Sequence, residues 1–73
     1  MIEVGDMILY IDTKVDYNTD IGWVVHTEKH TRINGYVRRI YIKWLFEESE
    51  DSMWEDNIEE YKAFTLVKGG QHG

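Results

Sequence analysis

The clearest pattern in the chain is an alternation between Tyr36 and Phe46. Tyr36, Arg38, Ile40, Ile42, Trp44 and Phe46 fall on one side, and Val37, Arg39, Tyr41, Lys43 and Leu45 on the other. Successive side chains of a strand point to opposite faces, so the stretch predicts a strand with Ile40, Ile42 and Trp44 on a core and Arg39, Tyr41 and Lys43 toward water. β-branched and aromatic residues dominate it, as a pleated surface favours.

The flanking pattern supplies the other elements. Val4 to Ile11 reads as a first strand with Gly5-Asp6 as turn chemistry at its entrance. Asp12 to Asp20 is polar and suits a loop. Ile21 to Glu28 is a second strand, apolar on both faces near its start, and Gly22 within it suggests a bulge or a close backbone approach. Asn34-Gly35 predicts a type I′ hairpin turn that pairs this strand antiparallel with the Tyr36–Phe46 strand. Glu47 to Met53 reads as an acidic loop. Beyond it, Trp54, Ile58, Tyr61 and Phe64 recur at helical spacing and predict a short helix over roughly 54–63, with Ser52 and Glu55 as a capping box. Phe64 to Val67 forms a short closing strand. The expected fold is all-β with one short helix, a small curved antiparallel barrel over residues 1–68, with 69–73 as a flexible tail.

Composition narrows the class. Seventy-three residues allow one domain, and a chain of this size needs a dense core; three Trp, five Tyr and two Phe supply one. There is no cysteine, so neither a disulfide nor a thiolate metal site stabilises it. Met1 to Tyr10 contains Glu3 and Asp6 and no basic region, so it does not look like a signal peptide, and no apolar run reaches the ~18 residues of a membrane span. The expected location is cytoplasmic, with no membrane partner. The net charge is −6, and its placement is uneven. Residues 1–44 carry six basic and six acidic side chains, whereas 45–73 carry eight acidic and two basic. Glu47, Glu48, Glu50, Asp51, Glu55, Asp56, Glu59 and Glu60 form a block uninterrupted by Lys or Arg. Such a block repels a phosphate backbone and attracts a basic protein surface, or serves simply as a solvated face.

Val4-Gly5-Asp6-Met7-Ile8-Leu9-Tyr10, Ile21-Gly22-Trp23-Val24-Val25, Ile40-Tyr41-Ile42-Lys43-Trp44 and Phe64-Thr65-Leu66-Val67 together carry a resemblance. The layout resembles short SH3-like barrel proteins, many of them from tailed bacteriophages. That resemblance implies an SH3-like barrel and a phage-type accessory protein acting inside a bacterial cell; it implies no catalytic residues. The acidic segment Glu47 to Glu60 departs from the pattern and speaks against the nucleic-acid role of related KOW or Tudor-like barrels.

Other chemistry is thin. Asp16-x-Asn18-x-Asp20 resembles the start of a calcium loop, but Ile21 and Thr27 stand where the pattern needs Gly and Glu. His26 and His30 lie on a strand without a third strong ligand, so no metal is expected. Ser49 and Ser52 stand in the acidic loop without a base or orienter, and no enzyme activity or cofactor is expected. Trp23, Trp44 and Trp54 suit a core better than an aromatic cage. The leading expectation is a non-enzymatic protein-binding module that engages a basic host or phage protein through the acidic block. A case of it would be inhibition of a host nucleic-acid enzyme or defence system. The alternatives are nucleic-acid binding through Arg32, Arg38, Arg39, Lys43 and Tyr41 on the hairpin, and a minor structural role in a virion. The pattern sets no oligomeric state.

Overall fold

The computed structural model describes residues 1–12 and 18–69. Its elements are β1 (Met7–Asp12), β2 (Asn18–Arg32), β3 (Gly35–Trp44), β4 (Glu50–Trp54), α1 (Glu55–Glu60) and β5 (Phe64–Val67). The strands form one antiparallel sheet in the order β4-β3-β2-β1-β5, a small all-β fold with one short helix.

Each strand contributes one face to a shared interior. Ile8, Val24, Ile40, Ile42 and Trp44 are buried, joined by Ile2 and by Ile58 of α1. Tyr10, Met53, Phe64 and Leu66 pack against that cluster. The expectation for Ile40, Ile42 and Trp44 therefore holds, at 0%, 0% and 6% exposure. The sheet has no second sheet to lie on. It buries this face by curling upon itself, which brings Trp44 of β3 onto Phe64 of β5, while α1 packs against β3 and β4.

β2 makes the curl possible. Its first part pairs with β1, from Asn18 to Trp23, and it pairs with β3 from Gly22 onward. The register slips between Val24 and His26. Val24 faces in and both neighbours face out, which settles a facing that the apolar run Ile21 to Val25 left open; past Val24 the bulge breaks the alternation. Gly22 lies opposite Ile8 on one side and Trp44 on the other, with the Ile42 and Trp44 side chains packed close over its Cα.

Four expectations are corrected. The acidic loop Glu47 to Met53 contains a strand, because the free edge of β3 takes Glu50–Trp54 as its partner and Met53 faces Ile40 across the pair. The helix spans Glu55–Glu60, with Trp54 extended at its N-cap and no side-chain capping bond. Glu55 accepts from Ile2 N instead, and Ser52 Oγ accepts from Arg39 Nε, so the capping box does not form. The hairpin link is Ile33-Asn34, between Arg32 and Gly35; Gly35 has φ +125° while Asn34 keeps a negative φ, so the turn is not type I′. Gly69 is tied down rather than frayed: its amide donates to Asp6 Oδ1 at 3.2 Å. Residues 70–73 of the expected tail lie outside the described residues.

Asp6 fastens the two ends of the described chain together. Buried at 1% exposure, it accepts hydrogen bonds from Glu3 N at 2.8 Å and Lys68 Nζ at 2.7 Å besides Gly69 N. Burial pushes its pKa up, but the bonds from Lys68, Glu3 and Gly69 and the Lys68 charge outweigh this and hold it below the ordinary carboxylate value.

Two outcomes follow. In Gly22→Ala the new Cβ meets Ile42 Cγ2 at 2.5 Å and Trp44 Cε3 at 2.7 Å. Overpacking of this kind costs about 1–3 kcal/mol, seen as a lower urea midpoint with an unchanged slope. Asp6→Asn removes a carboxylate that stabilises the fold above the ordinary carboxylate range and loses its effect as pH falls through its depressed pKa. Denaturation at neutral pH should show a loss of about 1–3 kcal/mol. The gap between wild type and variant should close as the solution is made strongly acidic.

Candidate functional site

The acidic segment is distributed over three settings. Glu47 and Glu48 lie in the loop after β3, Glu50 and Asp51 on edge strand β4, and Glu55, Asp56, Glu59 and Glu60 on α1. All are exposed except Glu55. Glu55 is a structural residue: its Oε2 lies 2.9 Å from Arg38 Nη1, and the two side chains are 14% and 13% exposed. Arg38 also donates to Ile2 O at 2.5 Å. This pair locks the N-terminal segment, β3 and the start of α1 to one another, and removes Glu55 from the expected partner-binding set. None of the other carboxylates of the segment forms an ion pair among the described residues.

The hairpin residues divide between two faces. Arg32 and Arg39 stack their guanidinium groups on the Trp54 ring, 4.7 and 4.5 Å from its centre. His30 meets the same ring edge-on at 5.3 Å. Tyr41 donates to Glu28 Oε1 at 3.0 Å and packs against His26. Lys43 lies opposite Trp23 on β2 and Glu50 on β4. Arg38 points the other way, into its pair with Glu55. Arg32 and Arg39 thus share the Trp54 ring, Arg38 is paired with Glu55, and Lys43 faces Glu50 across the β3–β4 pair.

Glu28 sits between the two histidines, 3.4 Å from His26 Nε2 and 3.3 Å from His30 Nε2. The Tyr41 hydroxyl, then His30, holds the Glu28 carboxyl below its usual range; in turn Glu28 holds the Tyr41 phenol above its own. Among the described residues no group of three or more His, Cys, Asp or Glu could hold a metal ion. Of the calcium-like triplet, Asp16 lies outside the described residues. Asp20 is spent on backbone amides: it accepts from Ile21 N at 2.7 Å, Phe46 N at 2.9 Å and Glu47 N at 3.3 Å. No helix among the described residues is long and apolar enough to cross a membrane.

The three tryptophans do not meet in a cage. Trp23 is exposed, Trp54 carries the arginines, and only Trp44 is in the core. Trp44 instead joins Tyr10 and Phe64. The Trp44 and Phe64 rings stack at 6.2 Å, Tyr10 meets Trp44 edge-on at 6.4 Å, and Tyr10 lies 5.5 Å from Phe64. These rings line a cleft of about 250 Å³ between edge strands β4 and β5, together with Met53, Asp20, Glu47 and Asp51. Sequence reading missed the cleft, although Tyr10 and Phe64 each fall on the inward period of their own strands.

No family model matches this chain, and comparison with curated proteins and with solved structures gives no match either.

Glu55→Gln leaves Arg38 without its ionised partner. The expected loss is about 1–3 kcal/mol of unfolding free energy. Part of it returns in the double variant with Arg38→Met, as a thermal or urea double-mutant cycle would show.

Proposed function

We propose that this chain is a non-enzymatic protein-interaction module that binds a basic protein surface through Glu47, Glu48, Glu50, Asp51, Asp56, Glu59 and Glu60. One observation carries the reading: among the described residues most of the cations are engaged by other partners, and none of these carboxylates forms an ion pair. Arg38 is taken by Glu55, Lys68 by Asp6, and Arg32 and Arg39 by the Trp54 ring. Lys29 lies over the Tyr36 ring, at 4.3 Å from its centre. The exposed remainder of β4 and α1 is a one-sign field, which steers a basic partner and repels a phosphate backbone. The resemblance to short phage SH3-like barrels extends the proposal to an accessory protein in the bacterial cytoplasm, acting on a host or phage protein.

The test is affinity capture from bacterial lysate with the chain as bait, at ~0.05 M and ~0.5 M salt. A partner with a basic surface should be retained at low salt and released at high salt. Changing Asp56, Glu59 and Glu60 to Asn, Gln and Gln should lower retention at low salt. Retention indifferent both to salt and to these substitutions would sink the assignment.

A further inference from the structure

We propose that the cleft between the edges of β4 and β5 is the specific subsite of this surface, and that it receives the basic side chain of an arginine or lysine from the partner. The proposal rests on the interaction-module reading above and names the group that surface selects.

The cleft combines two features that separately say little. Its floor is aromatic: Tyr10, Trp44 and Phe64 present π-faces and edges to a single space, with Met53 beside them. Carboxylates complete the lining, from Asp20, Glu47 and Asp51, and no Lys or Arg is among the described residues that line it. An aromatic ring attracts a cation through its quadrupole, and the attraction grows as water is excluded. A neutral apolar ligand would suit the rings but make nothing of the Glu47 and Asp51 carboxylates, and an anion would be repelled by them. An organic cation with an aliphatic stem satisfies both, its stem on Met53 and the rings and its charged head at Glu47 and Asp51.

The cleft is also held in place before any ligand arrives. Asp20 accepts from the amides of Phe46 and Glu47, which fixes the loop that carries Glu47. Trp44 N donates to Ser49 O at 2.8 Å and closes the same loop from the other side. Asp51 is set by its place in β4, opposite Ile42. A second hollow, lined by Met53, Asn57, Glu60 and Tyr61, shares Met53 with the first and carries the acidic lining on toward α1. Residues flanking the inserted side chain would run along it. A partner protein is therefore the source chosen over a free small amine.

The experiment is an NMR titration of the full chain, following the ring signals of Tyr10, Trp44 and Phe64 and the amides of α1. The probes are three blocked peptides: one with a single arginine between glycines, its citrulline counterpart, and one that alternates arginine with serine. The single-arginine peptide should move the three ring signals saturably, with a Kd of about a millimolar. The citrulline peptide should leave them unmoved. Glu47→Gln with Asp51→Asn should weaken the arginine peptide about three- to tenfold. Equal responses to arginine and citrulline would overturn the proposal. Should the alternating peptide bind and move only the α1 amides, the cleft assignment falls and the acidic-surface reading stands. If no peptide binds at low salt, both fall.

Discussion

A single sheet that is apolar on one face has nothing to cover that face except itself. That constraint governs this molecule. Ile8, Val24, Ile40, Ile42 and Trp44 come from three neighbouring strands and share one face, and the sheet curls far enough to stack Trp44 of β3 on Phe64 of β5 with β2 and β1 between them in the strand order. The curl needs a strand that can serve both sides, and β2 does so over fifteen residues, with Gly22 leaving room for the Ile42 and Trp44 side chains and the bulge at Val25 just beyond. Ile58 of α1 then covers part of the core that no strand reaches.

The same geometry sorts the charges. Curling brings the N-terminal segment against β3 and α1, where Ile2 N and Arg38 share Glu55, and against the end of β5, where Asp6 gathers Glu3, Lys68 and Gly69. Both arrangements use buried or nearly buried charge that is fully hydrogen-bonded, and no buried side-chain nitrogen or oxygen among the described residues lacks a partner. Arg38 and Lys68 are consumed by this internal work, while the exposed carboxylates of β4 and α1 form no ion pair among the described residues. Edge strand β4 profits in another way: Glu50 and Asp51 at its exposed start discourage pairing with a further strand.

The fold was legible where one physical signal dominated. The period of two in Arg38–Trp44 and the compact apolar run Phe64–Val67 each produced the element they implied, and Asn34-Gly35 marked the hairpin though not its turn type. β4 was not legible, because its period is carried by Asp51 and Met53 against Ser52 and Trp54, and carboxylates hide the alternation. Trp54 misled for a related reason. Its spacing to Ile58 suits a helix, but it ends β4, and its ring carries the Arg32 and Arg39 guanidinium groups. The cleft could not be read at all: Tyr10, Trp44, Met53 and Phe64 belong to four strands and become neighbours only after closure. The acidic block was legible as composition, but not the fact that Glu55 is withdrawn from it.

The fastening at Asp6 has a topological consequence. Lys68 Nζ lies 2.5 Å from Met1 O as well as bonding Asp6, so residues 1 and 68 are near neighbours in space. At the far end, Ile33 at the hairpin tip is fully exposed and touches no core. A short bridge from Gly69 to Met1 with new ends opened at Ile33-Asn34 would therefore yield a circular permutant with every strand pairing retained. In that rearranged order β3 would lead, β4, α1 and β5 would follow, and β1 and β2 would close the sheet, which separates the architecture from the direction in which the chain happens to be threaded.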